Sequence, residues 1–207
     1  MGQKRALAER LHGLAGFDTP RLDLEQYPTP PDLAAHLVHL ADLHGDLSGR
    51  TVIDLGTGTG MLALAAACRE PDRVVGLERD PDALAVAREN ERSVDPSRSV
   101  DWLLGDATRP PLCPSAPTTV LMNPPFGARS GSEGADRAFL ETAATLSTVS
   151  YSVHNAGSQS FVESFAADEG GEVTHAFRAE FDVPRLYDHH EREQTAIDVD
   201  VFRIAWD

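Results

Sequence analysis

The residues with the clearest chemical meaning are Asn123, Pro124, Pro125 and Phe126, which directly follow the apolar run Thr118–Met122. An amino group conjugated to a ring or carbonyl is a poor nucleophile, because its lone pair is delocalised. The Asn123 side-chain oxygen and the Pro124 carbonyl can accept its two N–H bonds and hold it in a pyramidal form. Prolines fix the backbone direction, and the Phe126 ring offers a face for stacking a base. The motif predicts transfer of a group to a planar amino nitrogen.

A glycine-rich segment lies directly after another apolar run, where Asp54 is followed by Gly56, Gly58 and Gly60. Glycines let the backbone turn tightly and approach a ligand, and free N–H groups near Thr59 and Met61, at the start of the next helix, can face it. The carboxylate of Asp54 suits a cationic ligand better than a pyrophosphate. S-adenosylmethionine carries both a sulfonium and an ammonium group. We therefore predict that Asp54, Gly56, Gly58, Thr59 and Met61 bind this cofactor, and that Asn123 contacts it as well.

Two further acids end the next predicted strands. Glu78 ends the second, where its carboxylate can accept both ribose hydroxyls of the cofactor, with Asp80 as the alternative if the strand runs longer. Asp106 and Ala107 follow the third strand, so the Asp106 carboxylate can accept from the adenine amino group and the Ala107 amide can donate to the ring. Ligands of open α/β sheets collect at these carboxyl ends of strands.

Short apolar runs alternate with amphipathic helical patterns, which is typical of βαβ units around a parallel sheet. The predicted strands are Thr51–Leu55, Arg73–Glu78, Val100–Leu104, Thr118–Met122 and Thr148–Val153. The predicted helices between them are Met61–Arg69, Asp82–Glu91, Ala135–Leu146 and Ser158–Asp168. Two long alternating runs, Val173–Phe181 and Ile197–Trp206, predict an antiparallel hairpin that closes the sheet.

Before this core, helical spacing predicts helices at Lys4–Leu14 and Asp32–His44. Between them, three closely placed prolines, Pro28, Pro30 and Pro31, require an extended backbone. We expect one domain over residues 1–207, in which residues 1–48 form an N-terminal part and residues 49–207 the catalytic core.

The charge balance is unusual, with 33 acidic residues against 18 basic ones, a net charge of −15 and Lys4 as the single lysine. Such a surface would repel nucleic acid in ordinary salt. A protein from a salty, halophilic cytoplasm shows the same excess, because molar salt shortens the Debye length to about 3 Å. An RNA substrate is therefore compatible with this charge. No long apolar run predicts a membrane span, so a cytoplasmic location is expected.

Metal chemistry is not expected. Cys68 and Cys113 lie in no ligand spacing and are predicted to be buried free thiols. His189 and His190 beside Glu191 are predicted to lie in a solvated loop, because adjacent side chains rarely converge on one ion.

The chain resembles the small METTL5-type RNA adenine-N6 methyltransferases of archaea and eukaryotes. The resemblance is carried by Leu24–Thr29, Asp54–Gly60, Asn123–Gly127, Tyr151–His154 and Asp198–Asp200. It implies a Rossmann-like class I methyltransferase fold, with a seven-stranded, mostly parallel sheet and an antiparallel C-terminal hairpin. It also implies that Gln26, Tyr27 and Thr29 fold over the cofactor, and that the substrate is an adenosine of small-subunit ribosomal RNA. A Trm112-type zinc-binding partner that pairs with an edge strand is implied too.

Two departures leave the RNA surface undefined. The family tends to have a lysine where this chain has Asn155, and a basic loop where it has Leu186–Glu193. Arg129 and Arg137 are candidate RNA contacts. The alternatives are a release-factor glutamine methyltransferase, whose motif usually ends in Tyr where this chain has Phe126, and a catalytically silent scaffold.

Overall fold

The computed structural model describes residues 2–125, 134–184 and 194–207. Its strands are β1 Thr51–Leu55, β2 Arg73–Glu78, β3 Val100–Leu104, β4 Thr118–Met122, β5 Val149–Asn155, β6 Gly171–Pro184 and β7 Gln194–Trp206. Its α-helices are α1 Gly2–Leu11, α2 Pro31–Leu43, α3 Met61–Ala67, α4 Pro81–Val94, α5 Ala135–Leu146 and α6 Gln159–Asp168.

The seven strands form one sheet in the order β3-β2-β1-β4-β5-β7-β6. The first five are parallel, and β7 runs antiparallel between β5 and β6. This confirms the predicted α/β sheet with an antiparallel C-terminal hairpin. The central strands are nearly continuous apolar runs because helices cover both of their faces.

Two hydrophobic clusters lie on opposite faces of the sheet. One joins α1, α2 and part of α3 to strand residues such as Val52 and Tyr151. The other joins α5 and α6 to residues such as Ile53 and Trp206. Because α1 and α2 share their cluster with the strands, the N-terminal part packs directly on the sheet.

Several helix ends differ from the prediction. The first helix stops at Leu11 and not at Leu14, because Gly13 weakens a helix interior. The helix α3 ends at Ala67 and not at Arg69, shortly before Glu70 adopts a positive φ of 56°. By contrast, α4 is longer at both ends than predicted. It starts one residue earlier because the Asp80 side chain caps its first turn by accepting from the Asp82 amide, and it continues to Val94, where Asp95 with a positive φ of 48° is its C-cap.

Other corrections are smaller. The helix α2 covers Pro31–Leu43, and α6 begins at Gln159 since Ser158 is its N-cap. The strand β5 covers Val149–Asn155, one residue later at its start and two later at its end. Both hairpin strands are longer than predicted, because main-chain pairing continues into polar residues as far as Pro184 and Gln194.

The edge strand β3 is linked to the glycine-rich loop by Trp102. A Cβ atom at Gly76 would lie 2.6 Å from the Trp102 ring, and one at Gly60 would lie 2.8 Å from it. The indole Nε1 donates to the Glu91 carboxylate at 2.7 Å. Glycine at these two positions therefore makes room for the indole between β2 and the loop.

The prediction of buried thiols is wrong for Cys113, which is exposed in the proline-rich loop before β4, whereas Cys68 is half-buried; both are free. The described residues contain no group of three or more His, Cys, Asp and Glu side chains placed to hold a metal ion. The segment with His189, His190 and Glu191 lies outside the described residues. Within the described ranges no helix is long and apolar enough to cross a membrane, and the cytoplasmic location stays a prediction.

Candidate active site

The candidate site lies at the carboxyl edge of the sheet, where four neighbouring parallel strands end. Pairing of Leu55 with both Leu77 and Met122 sets the ends of β2 and β4 beside the end of β1. Gly56 after β1 and Asn123 after β4 therefore lie at the same edge of the sheet as Glu78 at the end of β2. Open α/β sheets bind ligands at this edge, where the strand order changes direction.

Asp54 is fully buried at the end of β1. Its Oδ2 accepts from the Thr57 hydroxyl at 2.6 Å and from the Ala63 amide at 2.9 Å. Its Oδ1 is buried and has no partner among the described residues. Burial raises the pKa of this carboxyl to about 7, and the charge of Glu78 adds to the shift. An unpartnered oxygen of this kind fits a cationic ligand group.

Glu78 is held in place by main-chain amides. Its Oε2 accepts from the Gly58 N–H at 2.9 Å, and its Oε1 accepts from Arg79 and Asp80 at 2.8 and 2.9 Å. Three of the roughly four acceptor positions of the carboxylate are therefore in use, and Oε2 can accept one further hydrogen bond. The side chain is thus oriented beside the glycine-rich loop with one position open for a ligand hydroxyl.

Asp106 and Ala107 follow β3 at the same edge. The Asp106 Oδ1 accepts from the Thr108 amide at 2.9 Å and from its hydroxyl at 2.8 Å. The main-chain bond from Thr108 lowers the pKa of Asp106, so this carboxylate stays ionised. Ala107 is buried. The two residues form one wall of the cavity described below.

The Asn123 side-chain amide is bonded at its nitrogen and has no partner for its oxygen among the described residues. Its Nδ2 donates to the Thr29 hydroxyl at 3.0 Å, while its Oδ1 is buried without a partner in the described part of the chain. Pro124 is buried and Pro125 is half-buried. Phe126 lies outside the described residues, so its stacking role stays a prediction.

The segment before α2 closes one side of the site. The Gln26 side chain accepts from the Arg21 amide at 2.8 Å and donates to the Asp80 carboxylate at 2.7 Å. Both ends of its amide are therefore occupied by protein, which makes Gln26 an anchor of the segment. Tyr27 and Thr29 lie on the stretch that this anchor holds.

One cavity is lined by all of the residues predicted to bind the cofactor. They are Gln26, Tyr27, Thr29, Asp54, Gly56, Gly58, Thr59, Met61, Glu78, Asp106, Ala107 and Asn123. Pro125 also lines it, whereas Pro124 does not. The charged side chains in its wall are Asp23, Glu25, Asp54, Glu78 and Asp106, opposed by Arg79. This balance favours a ligand with positive charge.

The sequence reasoning missed two aromatic residues that line the cavity. A Cβ at Gly58 would lie 2.9 Å from the Phe17 ring, and a Cβ at Gly56 would lie 3.0 Å from Phe139. Phe139 lies on the apolar face of α5, which its helical spacing could have indicated. Phe17 lies in a loop with no motif, and Asn90 fixes that loop by bonding the Ala15 main chain.

Comparison with known proteins agrees with this geometry. The Methyltransferase small domain model matches residues 32–149, more than half of the chain. The chain is 35% identical over 205 residues to the rRNA N(6)-adenosine-methyltransferase Mettl5 of Drosophila melanogaster, covering 96% of this chain and 94% of the relative. The counterpart from Danio rerio is 30% identical, with 97% and 98% covered.

Solved structures give the same picture. A candidate RNA methyltransferase from Pyrococcus horikoshii superposes with a TM-score of 0.86 at 35% identity, and covers 100% of this chain and 97% of its own. Similarity of this extent includes the helices before β1 as well as the hairpin. The chain is a methyltransferase of the Rossmann-like class I fold and belongs to the METTL5 family, whose named members are rRNA N(6)-adenosine-methyltransferases.

Proposed function

We propose that the protein transfers the methyl group of S-adenosylmethionine to N6 of an adenosine in structured RNA, in particular small-subunit ribosomal RNA. The observation that carries the proposal is the buried, unpartnered Oδ1 of Asn123 at the wall of the cavity. A buried acceptor without a partner is unfavourable unless a ligand supplies a donor. The names of the relatives, which cover nearly the whole chain, support adenosine as that ligand.

The residues around the cavity fit S-adenosylmethionine. The free Oδ1 of Asp54 can take the ammonium group, and Glu78, which main-chain amides orient, can accept a ribose hydroxyl at Oε2. Asp106 has one oxygen that is not engaged by Thr108 and can accept from the adenine amino group. When bound, the cofactor supplies an electrophilic methyl group on its sulfonium.

The protein's own contribution to the reaction is to hold the amino group. The Asn123 Oδ1 and the Pro124 carbonyl accept its two N–H bonds, which turns its lone pair out of conjugation and towards the methyl donor. No side chain has to act as a strong base, because the nitrogen becomes acidic only once it carries the methyl group and then gives its proton to water.

The product identifies the acceptor. The protein is incubated with ribosomal RNA and methyl-labelled cofactor in concentrated KCl, with and without its candidate partner, and the RNA is then digested to nucleosides. We expect label in N6-methyladenosine. Label in a glutamine of a release factor would replace this proposal with the glutamine alternative, and label in neither product would contradict both.

We further propose that a Trm112-type zinc-binding protein pairs with the free edge of β3. Leu104 on this strand has 57% of its surface exposed, and Trp102 and Leu103 are half-buried. An apolar, unpaired edge strand is a liability unless another strand covers it. The opposite edge, β6, is protected by exposed polar residues such as Thr174 and Arg178.

The partner proposal is tested with two leucine substitutions. Leu104→Asp adds a charge to the edge of β3, and we expect it to weaken binding of the zinc-binding protein about tenfold or more. Leu43→Asp is the matched control, since Leu43 is 70% exposed on α2, and the ring of the next residue, His44, lies 4.2 Å from that of His175 on β6, at the opposite edge of the sheet from β3. Calorimetric titration gives both affinities. Equal binding by the wild type and Leu104→Asp would place the partner elsewhere.

A further inference from the structure

We propose that Phe139 is a specificity-determining residue for the cofactor, whose ring favours the positively charged S-adenosylmethionine over the uncharged product S-adenosylhomocysteine. The inference rests on the proposed function, because S-adenosylmethionine is the cofactor there. Phe139 belongs to none of the sequence motifs and lies on α5, the helix that follows the Asn123–Phe126 motif. A preference for the charged form would help the product to leave after methyl transfer.

The ring of Phe139 lies against the start of the glycine-rich loop. A Cβ atom at Gly56 would lie 3.0 Å from the ring Cε1 and 3.2 Å from the ring Cζ. The side chain is 8% exposed and lines the same cavity as Asp54, Asn123 and Pro125. Phe139 is therefore both a member of the core under α5 and a part of the cavity wall beside Gly56.

The sulfonium of the cofactor has to lie in this part of the cavity. Its methyl group must reach an amino nitrogen held at the Oδ1 of Asn123, and the ammonium group of the same methionyl part pairs with the Oδ1 of Asp54 in the proposed function. Asp54 is in β1 and Asn123 follows β4, and these neighbouring strands lie about 4.8 Å apart. The sulfonium is thus confined to the region between the two strand ends, where Phe139 lies beside Gly56.

An aromatic ring suits a sulfonium better than a carboxylate does. The face of the ring carries negative electrostatic potential and attracts a cation within about 6 Å of its centre, most strongly where water is excluded. A carboxylate in the same place would offer lone pairs that compete with the target nitrogen for the electrophilic methyl group. Phe139 can therefore stabilise the positive charge without reacting with the group that carries it.

Phe17 provides a matched comparison within the same loop. A Cβ atom at Gly58 would lie 2.9 Å from the Phe17 ring. The Gly58 N–H donates to Glu78, the residue proposed to accept a ribose hydroxyl. Phe17 therefore lies on the ribose side of the cavity, two residues along the loop from the contact of Phe139. Both rings offer contact area to the cofactor, but only Phe139 should distinguish its charge.

The experiment measures binding to the full chain by calorimetric titration in the absence of RNA. The variants Phe139→Leu and Phe139→Met remove the ring and keep an apolar side chain, and Phe17→Leu is the control. Each protein is titrated with S-adenosylmethionine, with S-adenosylhomocysteine and with sinefungin, which carries an ammonium group in place of the sulfonium. The Tm of each variant is measured to compare its stability with that of the wild type.

We expect the ratio of the S-adenosylhomocysteine Kd to the S-adenosylmethionine Kd to fall about fivefold in both Phe139 variants. Sinefungin should lose affinity as S-adenosylmethionine does, because the ring responds to charge. Phe17→Leu should weaken the binding of all three ligands alike and leave the ratio near that of the wild type.

The proposal is overturned if the Phe139 variants keep the wild-type ratio, if Phe17→Leu lowers the ratio equally, or if sinefungin follows S-adenosylhomocysteine. A wild type that binds none of the three ligands contradicts the proposed function as well. Binding of all three with a ratio that does not depend on Phe139 overturns only the role of this residue.

Discussion

Asp54 combines full burial with an ionisable group, and this has a consequence for stability. Burial raises its pKa in the folded protein to about 7, from an ordinary value of 3.8. As pH rises from about 4 to 7, the unfolded chain releases this proton while the folded chain keeps it, so stability falls over that window. The shift corresponds to a loss on the order of 4 kcal/mol by neutral pH. Asp54 is therefore a residue retained for binding at the expense of folding.

The variant Asp54→Asn tests this reading. An asparagine oxygen can accept from both Thr57 and Ala63, since both bond the same carboxylate oxygen. We expect the Tm of the cofactor-free protein to rise by about 3 °C or more near pH 8, and cofactor affinity to fall about tenfold or more. Near pH 5 the wild-type carboxyl is protonated, so the gain in Tm should disappear. A variant that is less stable than the wild type at both pH values, or that binds cofactor equally well, would contradict the assignment.

At the same scale, sequence reasoning placed the acids and Asn123 but missed Phe17 and Phe139. The acids could be predicted from the sequence because a change from apolar to polar residues marks the end of each strand, and the carboxyl ends of neighbouring parallel strands lie at the same edge of the sheet. Phe17 could not be predicted, because its position depends on the hydrogen bond between Ala15 and Asn90, which are 75 residues apart in the chain. Local patterns carry no information about such contacts.

At the scale of elements, the proline-bearing segment before α2 joins two parts of the site. Gln26 attaches it to the β2 side through Asp80, and Thr29 attaches it to β4 through Asn123. Glu25 adopts a positive φ of 47° within it, a strained conformation for a residue other than glycine that is common at functional sites. The segment is thus bonded to both sides of the site and forms a defined part of the cavity wall.

The variant Gln26→Ala should remove the hydrogen bond that holds the segment before α2 to Asp80 on the β2 side. We expect cofactor affinity to fall about threefold to tenfold, with the single-turnover rate at saturating cofactor close to the wild type. Gln159→Ala is the control, because the Gln159 amide pairs with Glu163 on the exposed face of α6. Isothermal titration measures both affinities. A rate loss without an affinity loss would place Gln26 in the catalytic step.

Element boundaries show where sequence patterns are informative. The strands β1 to β4 begin and end as predicted, since each is an apolar run with polar or turn-forming residues at both ends. The hairpin strands were underestimated because pairing between two antiparallel strands does not require apolar side chains. The N-terminal extension of α4 followed from a cap, in which Asp80 accepts from the Asp82 amide while it also binds Gln26.

For the whole molecule, the net charge of −15 predicts a dependence of stability on salt. Self-repulsion opposes the compact state, and salt screens it over a Debye length that falls from about 10 Å at 0.1 M to about 3 Å at 1 M. We expect the Tm to rise steadily from dilute buffer to molar KCl. Sucrose at equal osmolality, which does not screen charge, is the control. A Tm that is flat or falling with KCl would argue against adaptation to a salty cell.

The central claim is that the Asn123 amide holds the target amino group while S-adenosylmethionine binds elsewhere in the same cavity. The most direct test is the single-turnover rate of N6-methyladenosine formation in ribosomal RNA by the wild type and by Asn123→Ala, with the cofactor Kd of each measured by calorimetry. The account predicts that the variant loses about 100-fold or more in rate and keeps a cofactor Kd within about threefold of the wild type. An Asn123→Ala protein that forms N6-methyladenosine at the wild-type rate would contradict it.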